Sequence, residues 1–99
     1  ALERVRTRLG ASASIPTWIA SDVTGEWAAA PADIWHDRAV FHFLTDPIDR
    51  ARYIGHLTAT LKPGGWAIIG TFATDGPERC SGLPVMRYSA QSLAAELGA

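Results

Sequence analysis

Residues 32–72 carry the feature that most restricts how this chain can fold: an apolar run, a capped helix, a Pro-Gly-Gly stop and a second apolar run. Asp46 can accept hydrogen bonds from the free amides of a helix start, and Pro47 suits the first helical position. Asp49 adds a carboxylate to the first turn, where the helix dipole favours negative charge. The segment Pro63-Gly64-Gly65 cannot continue a helix. This order of signals predicts a βαβ unit, in which the two strands run parallel.

The helix of this unit has one apolar stripe. Ile54, Leu57 and Leu61 recur at i, i+3 and i+7, which predicts that this face is buried. The polar side chains on the remaining faces are Arg50, Arg52 and His56.

The second strand of the unit is predicted at residues 66–72, a nearly unbroken apolar run. Such a run is typical of a strand that is covered on both faces of a parallel sheet. The crossover connection should set it beside Ile34 and Trp35. Residues 39–44 are too short for periodicity to choose between a short helix and a strand.

The flanking segments have their own patterns. Residues 1–9 are predicted as a helix with a solvated basic face, and residues 15–23 as a strand. Residues 73–87 form a long connection, and loops of this length are often functional. Ser89 should then cap a last helix over Ala90–Leu97, with Gly98 at its end.

Composition narrows the class of protein. The chain has 99 residues, of which 47% are hydrophobic and 19% charged, so one small globular domain is expected. It begins within a helix-like pattern and its single methionine is Met86, which we interpret as part of a longer polypeptide.

Charge and cysteine content disfavour several partners. The net charge of −1 provides no basic stripe for phosphate neutralisation, which disfavours nucleic acid. No apolar run approaches the roughly 20 residues that span a bilayer. The single cysteine, Cys80, cannot form an internal disulfide, so a reduced, cytoplasmic compartment is expected and Cys80 is interpreted as a free thiol.

Polar residues follow two of the predicted strands. Asp22 lies near the end of the first, and His36-Asp37-Arg38 ends the next. In open α/β sheets, ligands bind outside the carboxyl ends of the strands, so these residues mark the candidate site. An alternative for Asp22 is that it only accepts amide hydrogen bonds in the turn at residues 22–25.

The order of elements, the polar strand ends, the segment WHDRAVFHFL and the LKPGG exit into a strand together resemble the second half of a class I S-adenosylmethionine-dependent methyltransferase. The resemblance covers nearly the whole chain. It implies an α/β, partial Rossmann-like fold with three layers and a mainly parallel sheet. Residues 1–99 would then be a single partial domain, the second half of a methyltransferase domain.

The resemblance also implies the cofactor, S-adenosyl-L-methionine, and the residues that bind it. Asp22 would accept a hydrogen bond from the exocyclic amine of the adenine, while the amide of Val23 meets a ring nitrogen. His36 is assigned to the cofactor site as well. The methyl acceptor would be a small molecule or a protein.

Methyl transfer needs alignment and, where the acceptor carries a proton, one base. His36 and Asp37 are the candidate catalytic residues, and Arg38 is placed to hold a substrate carboxylate. His42 and Arg79 are further candidate substrate contacts. The alternatives are an Asp37–Arg38 salt bridge and a buried, hydrogen-bonded His42. A metal triad of His36, Asp37 and His42 is disfavoured because no metal-site spacing supports it.

Two features of the resembling family are missing from the sequence: the Gly-rich turn after its first strand and the acidic residue after its second. Gly64-Gly65 does not replace the turn, because it precedes a strand rather than following one. We therefore expect weak cofactor binding and self-association into a homo-oligomer through unpaired strand edges. The alternatives are a Rossmann-type nucleotide-binding oxidoreductase fragment and a non-catalytic, self-associating interaction module.

Overall fold

The structure, a computed structural model, describes residues 2–17, 19 and 21–98. It is a mixed α/β chain with a two-stranded parallel sheet and a two-stranded antiparallel sheet. Its helices and strands are α1 (Leu2–Leu9), β1 (Ala32–Arg38), α2 (Pro47–Thr60), β2 (Leu61–Gly70), β3 (Arg79–Cys80), β4 (Leu83–Pro84) and α3 (Ala90–Leu97), with 3-10 helices at Gly10–Ser14 and Phe41–Phe43.

The predicted βαβ unit is confirmed. The Asp46 side chain accepts a hydrogen bond from the Ile48 amide at 2.8 Å, and α2 begins at Pro47. Strands β1 and β2 pair in parallel, with Ile34 opposite Trp66 and the next residues in register. The explicit start and stop signals of α2 therefore set the crossover between the two strands.

Strand β2 begins earlier than predicted because the Pro-Gly-Gly segment forms a bulge in it. Ala32 pairs with Leu61 and Ile34 with Trp66, so residues 62–65 stand opposite Asp33 alone. A Cβ atom added to Gly65 would lie 2.7 Å from the Asp33 carbonyl oxygen, closer than side chains tolerate. Glycine at this position lets the two backbones approach each other.

The core is aromatic. Its buried centre consists of Phe41, Tyr53 and Tyr88. The partly buried residues packed against it are Val23, Trp35, Leu44, Ile54, Ile69, Met86, Leu93 and Leu97. The core thus joins β1, α2, β2 and α3 around the carboxyl end of the sheet.

The buried stripe of α2 differs from the predicted one. Tyr53, Leu57 and Thr60 are buried, whereas Ile54 and Leu61 are only partly so. Leu57 was predicted correctly, but the stripe is centred on Tyr53 because the hydroxyl of this tyrosine has buried partners on β1. Arg50 does not face solvent either, because its Nε donates to Glu96 and its Nη1 to the Leu44 carbonyl.

The predicted strand at residues 15–23 is wrong where the structure describes it; Trp18 and Ala20 lie outside the described residues. The 3-10 helix Gly10–Ser14 continues into a bend at Ile15 and Pro16, and residues 22–25 form a turn. A strand needs a neighbour to pair its amides, and the described residues offer none beside this segment. Pro16 also lacks an amide proton to donate.

The prediction that β2 is covered on both faces is also wrong. Trp35, Asp37 and Ile69 lie on the side covered by α2 and the aromatic core. On the opposite side, none of the described residues covers Trp66, which is 73% exposed, or Ile68, which is 54% exposed. The described chain therefore supplies one helical layer on this sheet.

The long connection at residues 73–87 contains a small hairpin. β3 pairs with β4 in antiparallel register, with Arg79 opposite Pro84. Ser81 and Gly82 both have positive φ, at 51° and 79°, as a type I′ turn requires. The prediction of a loop over these residues did not include this hairpin.

The last helix is confirmed. The Ser89 hydroxyl accepts a hydrogen bond from the Ser92 amide, and the Ser92 side chain accepts one from the Ser89 amide. Gly98 ends α3 in the left-handed region at φ 75°. Leu93 and Leu97 pack against the core.

Candidate functional site

A cleft opens at the carboxyl end of β1, with a volume of about 170 Å³. Its lining residues are Val23, Trp35, His36, Asp37, Arg38, Val40 and Tyr53. Four residues predicted for the site, Val23, His36, Asp37 and Arg38, thus meet in one place. Strand-end polar residues gather here because β1 delivers them to the edge of the sheet.

Asp37 is buried and fully engaged. Its Oδ1 accepts a hydrogen bond from the Val40 amide at 2.8 Å, and its Oδ2 accepts one from the Phe41 amide at 2.9 Å. The hydroxyl of Tyr53 donates to the same Oδ2 at 2.5 Å. The carboxylate therefore holds the chain where it leaves β1 and starts the 3-10 helix Phe41–Phe43.

Tyr53 links Asp37 to the sheet. The hydroxyl of Tyr53 accepts a hydrogen bond from the Trp35 indole nitrogen at 2.9 Å while it donates to Asp37. Burial and the bond to Asp37 raise the pKa of Tyr53 far above its ordinary value of 10, so the phenol remains a donor. Tyr53 and Trp35 were not predicted as parts of the site. Tyr53 could have been recognised from the sequence, because it precedes Leu57, which was predicted to be buried, by four residues and so lies on the same face of the helix.

His36 and Arg38 are exposed on the other face of β1. Within the described chain neither forms a hydrogen bond or an ion pair. Arg38 is not paired with Asp37, so the loop salt bridge considered as an alternative is not formed. The His36 imidazole and the Arg38 guanidinium are therefore both available to a ligand at the mouth of the cleft.

Asp22 lies in an exposed turn. Its Oδ1 accepts hydrogen bonds from the Thr24 amide at 2.9 Å and the Thr24 hydroxyl at 2.7 Å. These bonds lower the pKa of Asp22, so the side chain is a carboxylate. Asp22 thus accepts hydrogen bonds within its own turn, as the alternative interpretation required. Neither its Oδ2 atom nor the Val23 amide takes part in these bonds. The assignment of Asp22 and Val23 to a cofactor stays a prediction.

Two aromatic rings hold this turn against α2. The Trp27 indole nitrogen donates to the Val23 carbonyl at 3.0 Å, and Nε2 of His56 donates to the Gly25 carbonyl at 2.7 Å. The two rings stack with their centroids 4.4 Å apart. The sequence analysis placed His56 on a face away from the apolar stripe and gave it no role; its partner is remote in sequence.

An apolar pocket of about 220 Å³ adjoins the cleft. Ile19, Ser21, Val23 and Trp27 line it, so Val23 belongs to both spaces. Each space alone is smaller than the roughly 300–1,000 Å³ of a typical small-molecule site.

His42 is 0% exposed and does not line the cleft. Its ring packs edge-on against Phe43 and Phe72, and neither ring nitrogen has a hydrogen-bond partner among the described residues. It is therefore buried, as the alternative required, but not hydrogen-bonded. The predicted substrate contact of His42 would require this packing to open, and it stays a prediction.

We expect His42 to make the protein less stable in mild acid. Burial lowers the pKa of His42 below its ordinary value of 6.5. As pH falls through about 6.5, the unfolded chain therefore binds a proton that the folded chain does not, and the free energy of unfolding declines until the lowered pKa is reached. Urea unfolding between about pH 7 and 5 measures this slope.

The matched variants are His42→Phe and His36→Gln. His42→Phe keeps an aromatic ring among Phe43 and Phe72, so it should flatten the slope and raise stability. His36→Gln removes an exposed imidazole, and its slope is the reference against which that of His42→Phe is compared. An unchanged slope in His42→Phe would show that other groups cause the acid sensitivity.

Arg79 is not brought to the cleft. Its Nη1 donates to the Gly82 carbonyl at 3.2 Å within the β3–β4 hairpin. Cys80 is a partly buried free thiol in the same hairpin. The predicted substrate contact of Arg79 has no support from this placement and stays a prediction.

Within residues 2–17, 19 and 21–98, no three His, Cys, Asp or Glu side chains are grouped to hold a metal ion, and no helix is long and apolar enough to cross a membrane. Comparisons with protein families, with curated proteins and with solved structures found no match to this chain.

Proposed function

We propose that this chain contributes to the transfer of a methyl group from S-adenosyl-L-methionine to a small-molecule or protein acceptor, as part of a longer protein with a Rossmann-like, three-layer sheet. The supporting observation is the cleft at the end of β1, whose lining residue Val23 also lines the apolar pocket. The parallel pairing of β1 and β2 agrees with this proposal.

The residues near Val23 suit an adenine ring. The Trp27 indole lines the apolar pocket. Asp22 precedes the lining residue Val23, and only its Oδ1 accepts hydrogen bonds within the turn, so Oδ2 takes no part in them. In the proposal, Oδ2 of Asp22 accepts from the exocyclic amine and the Val23 amide donates to the ring. The cofactor supplies an activated methyl group when bound.

The acceptor would lie at the mouth of the cleft. His36 is exposed and has a ring nitrogen available to take the acceptor's proton, which makes it the preferred base. Arg38 would bind a carboxylate of the acceptor through two parallel hydrogen bonds. Asp37 has three donors on its oxygens, so we assign it to positioning the loop, although it was also a candidate base.

A titration with S-adenosylhomocysteine, followed by amide NMR, tests the cofactor part of the proposal. We expect weak binding, because the Gly-rich turn that would approach the cofactor and the carboxylate that would hold its ribose are missing from the sequence. Shifts should concentrate on Val23, the Trp27 indole and His36. Shifts spread evenly over the chain, or none at millimolar ligand, would overturn the assignment.

Replacing Asp22 with alanine should weaken cofactor binding, because the exocyclic amine of the adenine would lose the carboxylate that accepts its hydrogen bond. Thr24→Val is the matched control, because it removes a turn hydrogen bond but leaves the Asp22 carboxylate. Calorimetry gives both dissociation constants. Equal weakening in the two variants would assign Asp22 to the turn alone.

The free strand edges support a second candidate function, a self-associating interaction module. β1 and β2 each have one unpaired edge within the described residues, and such edges recruit other strands. Size-exclusion chromatography with and without S-adenosylhomocysteine separates the candidates. An oligomer that neither binds nor responds to the compound would favour the module.

A further inference from the structure

A second cleft, which the proposed function does not use, lies between α2 and the loop that precedes β1. Its volume is about 480 Å³, within the range of typical small-molecule sites. The loop lines it with Thr24, Gly25 and Glu26, and α2 lines it with Arg52, Gly55 and His56. The three helix residues are spaced at i, i+3 and i+4, so they share one face of α2.

The two walls of this second cleft are fixed to each other. Nε2 of His56 donates to the Gly25 carbonyl at 2.7 Å, and the His56 ring stacks on Trp27 with the centroids 4.4 Å apart. The Trp27 indole nitrogen donates in turn to the Val23 carbonyl of the same loop at 3.0 Å. The second cleft is therefore formed before a ligand arrives, which reduces the ordering that binding requires.

Gly55 leaves space in the second cleft that the fold does not require. It lies in the interior of α2, where glycine is less favourable than alanine. Its φ is not positive, and an added Cβ atom would meet no packed neighbour within 4 Å among the described residues. Neither backbone conformation nor packing therefore calls for glycine here, whereas an occupant of the second cleft would.

Arg52 and Glu26 bring opposite charges to the second cleft without pairing. Both side chains are exposed, and within the described chain neither forms an ion pair or a hydrogen bond. Glu26 would repel a ligand that is only an anion, and Arg52 would repel one that is only a cation. A ligand that carries both a carboxylate and an ammonium group complements both residues.

We propose that the second cleft binds a zwitterionic α-amino acid. The Arg52 guanidinium would bind the α-carboxylate through two parallel hydrogen bonds, and the Glu26 carboxylate would accept hydrogen bonds from the α-ammonium. The side chain of the amino acid would occupy the space beside Gly55. The inference does not depend on methyl transfer, because no lining residue of this cleft is assigned to the cofactor or to the methyl acceptor.

Amide NMR of the nitrogen-15-labelled chain tests the proposal with L-leucine, its methyl ester and its N-acetyl derivative. The ester lacks the anion, and the N-acetyl derivative lacks the cation. L-leucine should cause saturable shifts at Gly25 and Gly55 with a dissociation constant in the millimolar range, because both charged partners are exposed. Each derivative should bind at least about fivefold more weakly.

Two charge variants test the roles of Arg52 and Glu26. Arg52→Gln should weaken the binding of L-leucine but not that of the methyl ester, which has no carboxylate to lose. Glu26→Gln should weaken the binding of L-leucine but not that of the N-acetyl derivative. Both residues are exposed, so neither variant should change the urea midpoint noticeably. Equal weakening of all three compounds by either variant would overturn the assignment of the charges.

A steric variant tests the position of the ligand. Gly55→Leu should abolish L-leucine binding and raise the melting temperature, because leucine forms helices better than glycine. Ala51→Leu adds the same side chain at an exposed residue of α2 that does not line the second cleft, so it should leave binding unchanged. The absence of saturable shifts with L-leucine, or binding that persists in Gly55→Leu, would overturn the proposal.

Discussion

Replacing Asp37 with alanine is expected to lower the free energy of unfolding by about 2–6 kcal/mol, because two buried donors would each lose their acceptor at a cost of about 1–3 kcal/mol. The carboxylate accepts hydrogen bonds from two amides and from the hydroxyl of Tyr53. Without it, the buried Phe41 amide and the Tyr53 hydroxyl lose their acceptor together. The turn between β1 and the 3-10 helix should loosen as a result.

Urea unfolding of three variants isolates this role. Asp37→Asn keeps an acceptor oxygen and the side-chain shape, so its loss should be smaller than that of Asp37→Ala. Asp75→Ala changes the same charge at an exposed position and should stay within about 0.5 kcal/mol of the wild type. If Asp37→Ala unfolds like Asp75→Ala, the carboxylate does not hold the turn and its interpretation as a catalytic base gains support.

The parts of the fold predicted correctly depend on local chemistry. The start of α2 at Asp46 and Pro47, and the cap and end of α3 at Ser89 and Gly98, are satisfied by atoms within a few residues. Such signals act before any tertiary contact forms, so the sequence alone suffices to recognise them.

The wrong predictions concern contacts between distant residues. Residues 15–23 have the composition of a strand, yet a strand also needs a paired neighbour, and composition does not reveal whether one is present. The stripe of α2 was centred on Ile54 instead of Tyr53 because the deciding partners, Trp35 and Asp37, lie 16 to 18 residues away. Hydrophobicity alone ranks isoleucine above tyrosine at such a position.

For the site, the rule that ligands bind outside the carboxyl ends of strands predicted where the polar residues lie. It did not predict which of them is buried and which are exposed. His36, Asp37 and Arg38 are consecutive in a strand, so alternate side chains point to opposite faces. That period places Asp37 on the covered side and the other two on the open side, as the structure has them. Applied to the sequence, the same rule would have separated a buried anchor from two exposed candidates.

If the proposed methyl transfer takes place, replacing His36 with alanine in the longer protein proposed above should lower its rate by about 10²- to 10⁴-fold, the usual contribution of a positioned general base. Cofactor affinity should change little, because in this proposal the adenine contacts come from Asp22 and Val23. Arg38→Ala is the informative companion, since losing the carboxylate partner should raise the KM for an acidic acceptor more than it lowers kcat. Single-turnover rates and calorimetric affinities must be measured separately. Equal losses of rate and affinity in His36→Ala would mean that the imidazole only builds the pocket, and an unchanged rate would remove His36 from the reaction.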